Sequence, residues 1–385
     1  MLPGGVSAAS SLADVLTSSL AAVTGRVNPL GLAAVDHVVV VVVDGLGDAN
    51  LKARAGHARF LTNPAHRQRR LTSFPSTTAA GLATLTTGVS SGRHGLVGYS
   101  VRDLAGDRIV NQLNGWDAGM DPATWQRART VFQDAADEGV PAFAIGAGKF
   151  AGSGFSRAVL RGAGYLPADT AESRFEAART VVASNRRSLS YLYLPELDMA
   201  AHAHGWESDR WLTELERVDS ALAAFVTGLP RRVGVLTTAD HGIVDVPHSG
   251  HVLYDGDPAL LEGVRHVGGE PRLLHLYLNG GAESSGIDGA GDDARTELAA
   301  RWSDSESERS WVATRAEAID AGWFGEVDGE VVDRIGDVLV AARKRVAYYD
   351  SRSPKPSARA MIGQHGSLTP EETRVPLVGM SAFAS

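Results

Sequence analysis

The 385-residue sequence contains no cysteine. Disulfide staples and thiolate metal sites are therefore excluded, and any bound metal has to be held by nitrogen and oxygen ligands. No apolar run approaches the roughly 18 residues needed to span a bilayer. The stretch Met1–Gly25 lacks a basic beginning and is interrupted by Asp14, so it reads as an amphipathic helix and not as a secretory signal. No basic stripe offsets the net charge of −8; the densest basic run is RQRR at Arg67–Arg70, read as a solvated strand start. Duplex nucleic acid is thus not an expected partner. A cytoplasmic protein that meets no membrane and acts on a small molecule is the expectation that remains. With 44% hydrophobic and 21% charged residues, the chain can bury a sizeable core.

What the sequence does have is alternation. Apolar runs at His37–Val43, Ala142–Ile145, Ser190–Leu194, Arg232–Thr238 and Arg374–Met380 read as strands. Several are rich in valine or leucine with little alternation, as in strands buried on both faces. Helical patterns at Thr78–Thr87, Trp125–Glu138, Thr170–Ser184, Ser208–Thr227 and Asp293–Ser303 separate them. The predicted fold class is α/β: a mostly parallel central sheet with helices on both faces. After Asp245 the composition shifts, with a Gly/Asp/Ser loop at Gly280–Asp293 and an irregular stretch at Asp350–Arg359. Short strand patterns at Leu273–Leu278 and Val338–Ala342 lie between. Residues of about 250–355 are expected to form a small α+β cap lobe inserted into one catalytic domain spanning 1–385; a second domain following in line is the competing arrangement.

The chemistry-bearing residues punctuate the strand ends. The valine run Val38–Val43 stops on Asp44, followed by Gly45. In an open parallel sheet functional groups collect at the carboxyl ends of strands. GLGDAN offers two glycines of a dinucleotide loop, but Asn50 stands where the third belongs, and Asp44 would face a pyrophosphate with like charge. A metal ligand or a buried structural aspartate are the readings left, and the former needs partners. In SFPSTTAAGLATLTTG a helix opens at the threonines and stops at Gly88; a hydroxyl there is either an N-cap or sits beside free N–H groups that stabilise an anion. In LPELDMAAHAHG, Asp198 and His202 are four apart and share a helical face, while His204 points elsewhere. TTADHG ends another strand on Asp240 and His241, and His365 precedes Gly366 before the last strand. Three aspartates and three histidines form a reasonable ligand inventory for two borderline cations.

The order of these elements resembles the alkaline phosphatase superfamily and is most similar to its nucleotide pyrophosphatase/phosphodiesterase branch. The motifs are a strand ending D-G, P-S-x-T ahead of a helix ending T-G, H-G after it, D-x-x-x-H, D-H-G, and a late H-G before V-P-L. The resemblance implies a core sheet with an inserted cap, two divalent ions, usually zinc with manganese as an alternative, and a nucleophilic hydroxyl. It places Asp44, Thr78, Asp240 and His241 on one metal and Asp198, His202 and His365 on the other. Thr78 is preferred over Thr77 as nucleophile because the family spacing from Pro75 and from Thr87 points to it. Nucleotide-cleaving members usually carry Asn three residues after the nucleophile, where this chain has Gly81. The implied activity is two-metal hydrolysis of a phosphodiester or pyrophosphate through a phosphothreonine. A phosphonate or phosphomonoester hydrolase, and an inactive metal- or anion-binding homologue, are the alternatives. Tyr99, Trp116, Trp125 and Trp206 are candidates either for base stacking or for packing. A dianionic group would want an added arginine or lysine; Arg93 is near in sequence, with a solvent-facing role as the favoured reading for it.

Overall fold

The valine run becomes strand β1 (His37–Val43), buried along its whole length. It lies in the middle of a seven-stranded sheet, which is why its sequence shows no alternation: both faces are covered. The computed structural model describes residues 2–4, 11–62, 67–117, 119–279, 290–353 and 356–384. The other sheet strands are β2 (Arg67–Leu71), β3 (Ala142–Gly146), β4 (Gly164–Pro167), β5 (Ser188–Leu194), β6 (Val233–Thr238) and, after the second sheet described below, the C-terminal Arg374–Ser381. A second, four-stranded antiparallel sheet contains β7 (Val264–Glu270), β8 (Leu273–Leu278), β9 (Ser310–Thr314) and β10 (Val338–Ala342) in the order β7-β8-β10-β9. Arg374–Ser381 is then β11, and the large sheet runs β2-β11-β6-β1-β5-β3-β4. All its pairings are parallel except the two made by β11.

Helices α1 (Asp14–Val23), α2 (Thr78–Thr87), α3 (Gly154–Val159), α4 (Ala171–Ser184), α5 (Glu196–His204) and α6 (Asp209–Val226) surround this sheet. Valines and leucines of β1, β5 and β6 pack with α1, α2, α4 and α6 in one large core. Two further apolar clusters lie on the second sheet, around Trp323 and Phe324 on one side and around Trp302 and Tyr348 on the other. The hairpin Ser100–Asp103/Arg108–Asn111 joins the first of these, so residues far upstream of the predicted lobe contribute to it. The second sheet is tied to the core at the β7–β8 turn. There Arg272 forms two 2.7 Å bonds to Glu372, and both side chains are fully buried.

The predicted helix Trp125–Glu138 is two helices, Pro122–Trp125 and Val131–Asp137. The break is local chemistry: Thr130 and Gln133 form a reciprocal capping box, which starts a new helix inside an otherwise continuous pattern. Of the remaining predicted elements, His37–Val43, Thr78–Thr87, Leu273–Leu278 and Val338–Ala342 have the expected bounds, and the others differ by a few residues at their ends, as where Thr170 and Ser208 are caps outside α4 and α6. Most of the predicted Gly280–Asp293 loop, residues 280–289, lies outside the described residues, and a helix runs from Ala290 to Glu306.

Register decides what meets at the sheet edge. Val43 of β1 pairs with Leu194 of β5, and Val42 pairs with Thr238 of β6. These three parallel strands therefore end level with one another. Leu71 of β2 pairs with Arg374 of β11, so β2 exits and β11 enters at that same edge. Asp44, Asp198, Asp240 and Thr78 all follow such exits, and His365 precedes the entering strand. Strand polarity and register together bring the seven candidate residues to one edge.

Candidate active site

Asp44 directly follows β1, and Gly45 turns the chain with φ 73°. A Cβ on Gly45 would lie 2.9 Å from Asp198 Oδ1, so glycine here is what lets the two strand ends approach. Asp198 opens α5, and His202 one turn later places Nε2 3.2 Å from Asp198 Oδ2. Asp240 and His241 follow β6; His241 Nε2 lies 3.2 Å from Asp44 Oδ1 and 3.8 Å from Asp240 Oδ2. The ring of His365 stacks on that of His241 at 3.7 Å, and the ring of His202 lies 5.2 Å from His365. Thr78, the first residue of α2, donates its hydroxyl to His241 Nε2 across 3.1 Å. Asp44, Asp240 and His241 offer ligand atoms within 4.8 Å of one another, as do Asp198, His241 and His365. His241 thus belongs to both groupings, where the sequence assigned it to one. His204 is exposed, as expected.

All three imidazoles have the same orientation. His365 Nδ1 donates to Ser76 O at 2.9 Å, His202 Nδ1 to Gly363 O at 2.7 Å, and His241 Nδ1 to Gly242 O at 3.1 Å. A carbonyl oxygen can only accept, so each Nδ1 carries the proton and each Nε2 presents its lone pair to the interior. The carboxylates do likewise: Asp44 Oδ1, Asp198 Oδ1 and Asp240 Oδ2 are buried and have no hydrogen-bond partner among the described residues. Lone pairs facing lone pairs in a buried site repel, and a cation removes that conflict. The donor set therefore fits divalent metal.

The acidities follow from the same crowding. Burial, then the charges of Asp240 and Asp198, raise the Asp44 carboxyl well above its usual range. Burial also raises Asp240. Asp198 is driven up by burial but held below its usual value by His202, with His365 and His241 behind it. His202 is raised, because Asp198 outweighs burial, and His365 is lowered by burial and by His241.

Two polar residues at the site were not foreseen. Tyr193 of β5 donates its hydroxyl to Asp44 Oδ2. The signal was present in SYLYL, which puts Tyr191 and Tyr193 on one face of the strand ahead of Asp198. Glu270 comes from the tip of β7, is buried, leaves Oε1 without a partner, and places Oε2 3.7 Å from His365 Nδ1. Burial, then the charge of Glu372, raises the pKa of its carboxyl well above the usual carboxylate range. Nothing local to Glu270 in the sequence announces this.

Gly81 is a packing requirement. A Cβ there would lie 2.6 Å from Asp240 O, so no side chain fits between α2 and the end of β6. Thr77 is the residue before α2; its side chain does not cap the helix but faces Glu270. Arg93 is exposed and ion-paired with Glu326 and Asp328, and is not among the residues lining the site. Of the four aromatic candidates, Tyr99 lines the cavity beside the site, whereas Trp125 lies under Arg334, Trp206 lies edge-on to Trp211 and Trp116 donates to Gln112 O.

A mostly parallel sheet carrying this constellation at one edge defines the alkaline phosphatase-like class of hydrolase folds. The chain belongs to the type I phosphodiesterase/nucleotide pyrophosphatase family, whose sequence model matches residues 38–368. It is 25% identical over 190 residues to an uncharacterised pyrophosphatase/phosphodiesterase of Schizosaccharomyces pombe, a match covering 44% of this chain and only 37% of that protein. Among solved structures it resembles murine ectonucleotide pyrophosphatase/phosphodiesterase 5, in an inactive threonine-to-alanine form with AMP, at TM-score 0.67 and 16% identity, covering 90% of this chain and 88% of that one. It also resembles phosphonoacetate hydrolase from Sinorhizobium meliloti with phosphonoformate, at TM-score 0.66 and 18% identity, covering 90% and 91%. Among the described residues no helix is long and apolar enough to cross a membrane.

Proposed function

We propose that the chain is a metal-dependent hydrolase of phosphoric diester or pyrophosphate bonds, with Thr78 as nucleophile. One observation carries this reading: three imidazoles pinned through Nδ1 leave Nε2 available in one cluster with three carboxylates that each have a partnerless oxygen, beside the Thr78 hydroxyl. Asp44, Asp240 and His241, with Thr78, would hold one cation; Asp198, His202 and His365 would hold the other. Zinc suits this donor set, and manganese suits it also. When bound, the ions would supply Lewis-acid stabilisation and acidify the threonine hydroxyl and water.

The protein's own groups do the rest. Thr78 Oγ1 gives up its proton and attacks phosphorus, and the ester or anhydride oxygen leaves with the bonding electrons and takes up a proton. Water then cleaves the phosphothreonine and returns a proton to Oγ1. The first turn of α2 has no side-chain cap, so its N–H groups and positive dipole end are available to a phosphoryl oxygen. They stand in for the side-chain amide that Gly81 cannot provide. The second sheet acts as the cap, because Glu270 and Pro271 from its β7–β8 turn form part of the cavity wall.

Charge favours a diester. Two divalent cations against three aspartates leave the centre near one positive charge. Among the described residues Lys149 is the single lysine or arginine lining the cavity, it is exposed, and Arg93 is paired elsewhere. A dianionic monoester therefore lacks a guanidinium partner. The neighbours' ligands, AMP and phosphonoformate, are phosphorus oxyanions. The test is Thr78→Ala with metal analysis, alongside bis-p-nitrophenyl phosphate, p-nitrophenyl phosphate and a phosphonate monoester. The expected result is near-complete loss of turnover with metal content retained, and a preference for the diester. Turnover close to the parent's would remove Thr78 from the mechanism; a strong monoester preference would reject the diester assignment.

A further inference from the structure

The cavity beside Thr78 has a volume of about 490 Å³, within the roughly 300–1,000 Å³ range of small-molecule pockets. It extends well past the carboxylates. Leu82 lies one helical turn from Thr78 on α2, so the cavity continues directly behind the nucleophile. Ile145 of β3, Phe155, Val159 and Leu160 at α3, and the ring of Tyr191 continue the wall.

Five polar side chains on that wall are already committed to the protein. Ser153 accepts from Ser156 N at 3.1 Å as the cap of α3 and bonds the Ser156 hydroxyl at 3.1 Å. Tyr165 donates to Ala147 O at 2.8 Å, Tyr193 to Asp44, and Gln364 to Met361 O and the Tyr349 hydroxyl, each at 3.2 Å. Asn114 and Lys149 are exposed, where the cavity meets solvent. A nucleobase carries several donors and acceptors; placed in this sleeve they would lose water and find few partners, which costs binding. An alkyl or aryl group loses nothing polar and gains contact with the aliphatic and ring surfaces.

We infer that the cavity recognises an apolar substituent, alkyl or aryl, on the phosphorus ester, and that the specificity lies in Leu82, Phe155, Val159 and Leu160. This rests on the phosphodiester reading for its chemistry, but its first test does not need turnover. Methyl-, hexyl- and phenylphosphonate and thymidine 5′-monophosphate are titrated into the metal-loaded protein, with binding read by thermal shift and calorimetry. Hexyl- and phenylphosphonate should bind at least tenfold more tightly than methylphosphonate, and thymidine monophosphate should gain no such advantage. Leu160→Trp, which fills the sleeve, should erase the difference between the hexyl and methyl compounds; Phe155→Ala should shift the optimum to longer chains. The matching p-nitrophenyl diesters should show kcat/KM rising in the same order. Equal affinities across the alkyl series, or a clear preference for the thymidine compound, overturns the inference. Graded binding with no hydrolysis of any diester would instead reject the catalytic reading and leave the apolar sleeve standing.

Discussion

Tyr193 reaches the proposed metal centre only through Asp44, to which its hydroxyl donates. That bond fixes one oxygen of the carboxylate and leaves the other, which has no partner, facing inward. Removing such an outer contact typically lowers metal affinity or activity by about 10–100-fold. Tyr193→Phe is therefore expected to weaken metal binding by about that factor while the ring, stacked with Tyr191 at 6.3 Å, keeps the packing. Competition with a chromogenic chelator measures it, and an affinity equal to the parent's would show that Tyr193 does not orient Asp44. At this scale the ligand candidates were legible because they follow or precede apolar strand runs, several beside a glycine. Tyr193 was half legible, through strand alternation. Glu270 was not, because its burial comes from the docking of a distant hairpin and not from its neighbours in sequence.

Among elements, α2 and the end of β6 are in contact without an intervening side chain. The Thr72 hydroxyl donates to Asp240 O, and Gly81 abuts the same carbonyl group. A methyl at position 81 would have to push α2 off the strand end that carries Asp240 and His241. Gly81→Ala should cost about 1–3 kcal/mol of stability, the usual range for overpacking, despite alanine being the better helix former. Because the displaced parts carry Thr78 and His241, turnover should fall more than tenfold. Urea unfolding and kinetics check both; a variant as stable and active as the parent would mean the helix has room to move. Periodicity and stop signals had revealed α2 in full, from the threonines to Gly88 in the left-handed conformation with φ 71°. What they could not reveal is which face of α2 touches what, since an all-buried helix has no polar side to mark its orientation.

For the whole molecule, His94 and His275, the two fully buried histidines outside the site among the described residues, set an acid limit. His94 accepts Leu96 N at Nδ1 and bonds Thr84 through Nε2; His275 accepts Gly336 N at Nδ1. Burial, then other groups that include Arg334 and Arg315 respectively, lowers each to about 3 from an ordinary 6.5. Between those values the unfolded chain binds more protons than the folded one, so stability is present in full above pH 6.5 and is lost as the pH falls toward 3. The slope approaches about 1.4 kcal/mol per pH unit for each histidine. The urea midpoint should drop clearly from pH 7 to pH 5, and less so in His275→Gln; an unchanged midpoint would show that both rings protonate in place. The sequence alone determined the α/β alternation, the central buried strand and the list of carboxylates, imidazoles and hydroxyls, because hydrophobic period and chain punctuation are local properties. Only the tertiary structure decided the rest. Level strand ends collect those groups at one edge, three Nδ1 protons turn the lone pairs inward, and the second sheet delivers Glu270. An apolar sleeve opens behind Thr78. Each of these depends on register and on contacts between residues far apart in the chain, which no local pattern encodes.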